Sequence, residues 1–259
     1  QDFEKKINKK TKALMLPHIY GFANDMDKIL KICKKNNLLL IEDAAEMIGQ
    51  DYKEKPCGSF GDISIFSFYA NKHITTGEGG AIFTNSKIIY NKCKNLRNLN
   101  FGNNNRFNHE ELGWNYRFTN MQAALGLNQL KRINQIVEKK REIGNYFYNN
   151  LKNNKNIIIQ KPSIGYCQNI YWIFGIIIKN SNKKNTQKIQ KKLLSMGVQT
   201  RDFFWPMHKQ KIYKKMGLFK GQKFPTAEYL ANNGFYIPSG LGLKKSEMVK
   251  ICKSINKVL

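Results

Sequence analysis

Acidic residues are scarce in this chain. Its 259 residues hold 18 Asp plus Glu against 44 Lys plus Arg, a formal net charge of +26. Such a balance raises nucleic-acid binding as a function, because clustered lysines neutralise phosphates. Here the lysines do not cluster. Basic pairs run from Lys5-Lys6 through Lys34-Lys35, Lys183-Lys184 and Lys191-Lys192 to Lys244-Lys245, mostly on expected solvent faces of helices or in loops. No module of interleaved aromatic and basic residues accompanies them. Abundant Lys, Asn and Ile read as compositional drift, which disfavours a primary nucleic-acid role. The excess charge still favours an anionic substrate through long-range attraction.

Long apolar runs are missing too. No stretch approaches the length of a membrane span, and none resembles a signal peptide. Cysteines are few and odd in number: Cys33, Cys57, Cys93, Cys167 and Cys252 are scattered, with no Cys-x-x-Cys pair. That usage excludes a disulfide framework, fits a reduced cytoplasmic compartment and suggests no metal. No internal repeat is visible. What is present is an apolar fraction of 41%, with 16 Phe and 12 Tyr, in a chain long enough to bury a substantial core.

The order of elements suggests an α/β fold. Ala13-Leu14-Met15-Leu16 reads as a strand. Asp25 then caps a helix whose apolar face is Met26, Ile29, Leu30 and Cys33, and Leu38-Leu39-Leu40-Ile41 is the next strand, ending at Asp43. This βαβ order predicts a mainly parallel sheet. Strands are expected at 63–68 and 81–83, and a helix at 87–99 after Asn85-Ser86. A polar loop covers 100–117. Thr119 and Gln122 form a capping-box pattern that starts one long helix towards Leu151, with Gly126 and Gly144 inside it. The texture then changes: strands at 157–159 and 171–178 and helices at 186–196 and 246–258 suggest a smaller α+β domain. The boundary is expected near residue 135, giving 1–135 and 136–259.

Two segments carry chemistry. Ile41-Glu42-Asp43-Ala44-Ala45-Glu46 places an acid at the end of one apolar strand. Ile63-Ser64-Ile65-Phe66-Ser67-Phe68 is another buried strand, and Lys72 follows it, ahead of the turn Gly77-Glu78-Gly79-Gly80. Open α/β sheets bind ligands at such strand ends. A lysine and an acid so placed suit an aldehyde cofactor bonded to the amine, with its ring nitrogen facing the carboxylate. Among so many lysines an arbitrary one is solvated surface. Position, not residue type, singles out Lys72.

The chain resembles the DegT/DnrJ/EryC1/StrS family of sugar-nucleotide aminotransferases. The resemblance rests on Glu42-Asp43-Ala44-Ala45, Gly58-Ser59-Phe60-Gly61-Asp62, Phe66-Ser67-Phe68, Lys72, Thr75-Thr76-Gly77-Glu78-Gly79-Gly80 and Asn115-Tyr116-Arg117, in order and at compatible spacing. It implies the fold-type I scaffold of pyridoxal phosphate (PLP) enzymes: a mainly parallel sheet flanked by helices, with a smaller C-terminal domain. It implies Lys72 and Asp43 as catalytic residues, Lys72 bonding PLP and Asp43 holding its ring nitrogen protonated. A sister branch carries His at the lysine position and dehydrates the sugar. Lys72, with His73 beside it, favours amino transfer.

The resemblance also implies Ser67 and, from a neighbouring subunit, Asn115 on the cofactor phosphate, hence a homodimer with shared sites. Arg117 is a candidate for a carboxylate of the amino donor, glutamate, with a surface ion pair as its alternative. Where many relatives have a Gln facing the phenolic oxygen, this chain has Glu46, which must be protonated or turned away. In Arg201-Asp202-Phe203-Phe204-Trp205-Pro206-Met207-His208 the aromatics line a sugar or base site with His208 as a polar contact, or they are plain core. This segment and Phe235–Leu241 are similar to those of family members acting on GDP-linked 4-keto-6-deoxy sugars for surface polysaccharides. A UDP- or dTDP-linked acceptor stays open. Relatives have a longer segment ahead of the lysine than the 71 residues here, so the chain is expected to be N-terminally truncated, and a catalytically silent fragment is the competing reading.

Overall fold

The computed structural model describes residues 3–101, 107–109 and 111–259, so part of the expected polar loop at 100–117 lies outside the described residues. The chain divides into two units, one running to Val137 and including Ser163–Trp172, the other comprising Glu138–Pro162 and Ile173–Leu259.

The first unit is built on β1 (Ala13–Pro17), α1 (Met26–Lys35) and β2 (Leu39–Asp43), followed by the hairpin of β3 (Asp51–Tyr52) and β4 (Lys55–Pro56), then β5 (Ile63–Ser67) and β6 (Gly80–Phe83). The Asp25 side chain accepts the Lys28 N–H at 3.4 Å and so starts α1, whose Met26, Ile29 and Cys33 are buried. Leu30 sits at the margin of this face. The sheet has the order β1-β2-β5-β6; the first three strands are parallel and β6 runs antiparallel.

Strand alternation sends Leu16 and Leu40 into one core with Met26, Ile29 and Cys33. On the opposite side Met15, Leu39 and Ile82 remain 66%, 56% and 53% exposed. Parallel sheets are ordinarily covered on both faces, so this open apolar side is unusual.

α2 (Lys87–Arg97) starts at Ser86, whose hydroxyl accepts the Ile89 N–H at 3.4 Å. It stops short of Leu99 because Leu99 and Asn100 turn left-handed (φ 61° and 51°) and the Leu99 N–H bonds the Trp114 carbonyl instead. The single long helix expected after Thr119 is two: α3 (Asn120–Leu130), opened by the Thr119–Gln122 capping box, and α4 (Ile133–Leu151). The glycines do not cause the break. Arg132 N–H bonds back to Gln129, a tighter three-residue turn, and the chain redirects there. Gly126 has a packing reason instead: a Cβ there would lie 3.0 Å from the Thr76 methyl.

The second unit continues with β7 (Ile157–Ile159). The hairpin of β8 (Ser163–Ile164) and β9 (Cys167–Gln168) returns to the first unit. After it come β10 (Phe174–Ile178), α5 (Lys183–Ser195), β11 (Arg201–Asp202), α6 (Lys211–Lys215), α7 (Pro225–Asn233), β12 (Gly234–Ile237) and α8 (Lys245–Val258). Its sheet is antiparallel, in the order β11-β12-β10-β7. The core includes Phe147, Phe174, Ile176, Leu193, Phe235 and Ile255, with the Phe147 and Phe174 rings 5.3 Å apart. The strand expected from Tyr171 begins only at Phe174, because Tyr171 is left-handed (φ 48°) and leaves extended geometry. Among the described residues no helix is long and apolar enough to cross a membrane.

Candidate active site

Near the carboxyl ends of β2 and β5 the structure brings three of the sequence-predicted residues, Asp43, Glu46 and Lys72, into one neighbourhood. Asp43 ends β2, where its Oδ1 accepts the Ala45 N–H at 3.1 Å, so it caps the following turn as well. Lys72 lies five residues past β5, in a turn closed by its own N–H to the Tyr69 carbonyl at 3.0 Å. Half-burial lowers the basicity of the Lys72 amine, while the nearby carboxylates of Glu46 and Asp43 oppose that effect. All three groups therefore share one electrostatic environment.

Glu46 is buried and does not turn away to solvent. Its Oε2 accepts the Tyr20 N–H at 2.7 Å. Desolvation pushes its carboxyl up to about 7, against the pull of the Tyr20 N–H and of Lys72 and with a further push from Asp43. Ser67 ends β5, with its hydroxyl accepting the Tyr69 N–H at 3.3 Å.

The turn beyond Lys72 is held from α3. Gln129 bonds both the N–H (3.1 Å) and the carbonyl (2.7 Å) of Thr75, and Gln122 Nε2 donates to the Glu78 carbonyl at 3.3 Å. Asn115 and Arg117 pair with each other: Arg117 Nε donates to Asn115 Oδ1 at 3.0 Å, and both are exposed.

His208 lies in the second unit. It is buried, with Nε2 2.8 Å from Glu228 Oε1, and Lys209 Nζ is 3.0 Å from the other oxygen. His208 and Lys209 together draw the Glu228 carboxyl down to about 2. Of the neighbouring aromatics Phe203 is core, while Phe204 and Trp205 are exposed. A cavity of about 290 Å³ is lined there by His208, Lys209, Lys214 and Lys220, among others.

Three side chains at the first site were not singled out by sequence. Trp172 lies beneath Lys72, whose Nζ is 4.1 Å from the indole centroid, and Tyr20 stacks on Trp172. Only folding brings these residues together, so no local motif marks them. The third is Glu42, the first acid of its motif, which is a framework residue. Its oxygens accept the N–H groups of Gly58 (2.5 Å), Phe60 (2.9 Å) and Gly61 (3.0 Å), together with the Ser64 hydroxyl. His18 Nδ1 accepts the Asn24 N–H, which leaves Nε2 carrying the hydrogen that faces Glu42 at 3.0 Å. The motif Gly58–Gly61 is thus a nest wrapped on one carboxylate. Gly58 has φ +89°, and a Cβ there would strike the Phe66 ring.

His18, Glu42 and Cys57 bring potential ligand atoms within 4.8 Å of one another. The Glu42 oxygens are already taken up by N–H and O–H donors, and burial pushes the Cys57 thiol up rather than towards thiolate. That chemistry does not suit a cation.

The donor set around Lys72 does fit an aldehyde cofactor with a basic ring nitrogen. It offers one amine of lowered basicity, one carboxylate at a strand end and one carboxyl that carries a proton near neutrality. Comparison with known proteins agrees. The sequence pattern of the DegT/DnrJ/EryC1/StrS aminotransferase family matches residues 1–256. GDP-perosamine synthase of Escherichia coli O157:H7 is 38% identical over 256 residues, covering 99% of this chain and 68% of that protein. A UDP-4-amino-4,6-dideoxy-N-acetyl-beta-L-altrosamine transaminase of Campylobacter jejuni is 33% identical over 206 residues, or 79% of this chain and 54% of that one. The solved structure of Helicobacter pylori PseC, an aminotransferase involved in pseudoaminic acid biosynthesis, superposes with a TM-score of 0.92 at 27% identity, over 98% of this chain and 68% of its own.

Proposed function

The chain belongs to the DegT/DnrJ/EryC1/StrS aminotransferase family, and on that premise we propose that it moves an amino group from glutamate to a GDP-linked 4-keto-6-deoxy sugar, with PLP bonded to Lys72. The observation that carries this reading is the placing of the half-buried Lys72 amine in the common field of Asp43 and Glu46 at adjoining strand ends.

The bound cofactor would supply an electron sink for the carbon that loses its proton. The chain's own groups do the rest. Burial leaves more of the Lys72 amine neutral, which suits it to attack a carbonyl and then to carry a proton between carbon atoms. Asp43 holds a proton at the cofactor's ring nitrogen through a charge-assisted bond. Glu46, its carboxyl pushed up to about 7, would meet the phenolic oxygen without like-charge repulsion while it keeps its proton. Ser67 and Asn115 serve the phosphate, Asn115 reaching it from a second copy. Arg117 offers a planar guanidinium to the glutamate carboxylate.

The GDP reading is supported by the 38% identity to a GDP-perosamine synthase over nearly the whole chain. A UDP-linked acceptor is the second reading, favoured by the Campylobacter relative. An absorbance scan tests the cofactor assignment: the wild-type chain with added PLP is expected to show a visible band that Lys72→Ala removes. No band, or one that survives in Lys72→Ala, sinks it. Mass spectrometry of products from GDP-, UDP- and dTDP-linked keto sugars then decides the acceptor.

A further inference from the structure

Trp172 is buried, and its indole N–H donates to the Asn71 carbonyl at 3.1 Å, which fixes the ring next to the Lys72 turn. The Lys72 ammonium stands 4.1 Å from the indole centroid. A cation over an indole face is attracted by the ring quadrupole, more strongly than over the ring of Phe or Tyr. Tyr20 stacks on the same indole, with centroids 6.2 Å apart and planes 9° from parallel. The backbone N–H of Tyr20 is the group that holds Glu46. One aromatic pair therefore touches both the amine and, through a main-chain bond, the buried acid.

The pair is placed by its surroundings. Gln50 Nε2 donates to the carbonyls of Gly21 (2.7 Å) and Gln168 (2.8 Å), and Asn169 Oδ1 accepts the Tyr171 N–H at 2.7 Å. Tyr20 and Tyr171 both take left-handed backbone (φ 64° and 48°), which non-glycine residues adopt only where the surroundings enforce it.

We propose that Trp172, braced by Tyr20, is a positioning residue: its indole face is the resting place of the Lys72 ammonium whenever that amine is not bonded to the cofactor. The proposal rests on Lys72 being the cofactor lysine. Nothing in the sequence motifs assigns Trp172 such a role. During turnover the freed amine needs a defined location close to the reacting carbon, and a flexible four-carbon side chain does not provide one by itself. The charged groups acting on Lys72 are Glu46 and Asp43, and the indole adds attraction for the protonated form without adding a charge.

The test is a titration of Lys72 in the cofactor-free protein. Brief acetylation with acetic anhydride across a pH range, read by mass spectrometry of the Lys72 peptide, gives the midpoint of amine reactivity. In Trp172→Leu the midpoint is expected to fall by about half to one pH unit, with Trp172→Phe in between. Loss of cover alone would relieve the desolvation that lowers the basicity of Lys72 and so raise the midpoint, and an unmoved or raised midpoint in Trp172→Leu overturns the proposal. If Trp172→Leu does not fold, Trp172→Phe decides in the same way: a lower midpoint supports the proposal and an unchanged one rejects it. The titration needs no cofactor, so the two ways of failing are separable. A wild-type chain with no visible band on adding PLP rejects the cofactor reading, and this proposal with it. A normal band beside an unmoved midpoint rejects the proposal alone.

Discussion

Glu46 is where the residue scale decides most. A carboxylate beside a phenolate would be repelled, yet this position is buried and its carboxyl is pushed up to about 7 from an ordinary value of 4.5. The folded state therefore holds a proton that the unfolded chain has released between those values. Stability contributed by that proton is complete below about 4.5 and is lost as pH rises through about 7. Glu46→Gln keeps an acceptor for the Tyr20 N–H and removes the ionisation. Its stability relative to wild type should climb over that window and level off above it, by up to about 3 kcal/mol from the 2.5-unit displacement. Urea unfolding of the cofactor-free protein at pH 5 and pH 8 measures this, and parallel profiles for the two proteins would contradict it. The variant should also keep its visible band with PLP, because a neutral amide serves the phenolic oxygen as well as a protonated acid does.

At the scale of elements, Glu42 shows how one side chain can shape a loop. Burial opposes its ionisation, but the bonds from His18, Gly58, Phe60 and Gly61 outweigh that and hold its carboxyl below the usual range. Glu42→Ala would leave those donors facing a gap, a loss of about 3–5 kcal/mol. Glu42→Gln should cost less, since one oxygen still accepts. Because the carboxyl is depressed, the stability Glu42 confers is present above its ordinary value and fades as pH falls through its folded value. The wild-type advantage over Glu42→Ala should therefore shrink in acid, and urea midpoints at pH 3.5 and pH 7 would show it. An advantage of equal size at both would mean the donors find water instead.

This element also marks the limit of what could be read from the chain. Helix α1, strands β1, β2, β5 and β6 and the capping box at Thr119 were legible because each is written in adjacent residues. The strand-end positions of Lys72 and Asp43 were legible for the same reason: both stand just past apolar runs. The motif Gly58–Gly61 was visible as a pattern, but its cause, a carboxylate on β2, is a contact across the fold. Tyr20 and Trp172 are far apart in sequence, so their stack, a contact made only by folding, could not be anticipated. The break between α3 and α4 was missed because Lys131 and Arg132 are good helix formers, so nothing local in the sequence marks the three-residue turn at Arg132.

At the scale of the whole molecule, the question is what the exposed apolar surface around Asn115 is for. Tyr116 and Met121 are 72% and 82% exposed, and Trp114 stacks on Tyr116 in the open. Scattered exposed apolar residues need no explanation, but a contiguous group flanking a proposed cofactor contact does. If a second copy docks here, Asn115 enters its neighbour's site and each site needs both chains. Then Lys72→Ala and Asn115→Ala chains, each inactive alone, should regain activity when mixed, because some hybrid dimers contain one site with both residues intact. Random pairing makes half the dimers hybrid with one good site in two, so about a quarter of wild-type activity is expected for a two-fold dimer. Amino transfer assayed on the mixture checks this. Tyr116→Lys should lower the sedimentation coefficient towards that of a monomer and remove the rescue together with it. Rescue that persists in a monomeric Tyr116→Lys protein, or no rescue in a mixture shown to exchange subunits, would place Asn115 outside the shared site and return the exposed aromatics to ordinary surface.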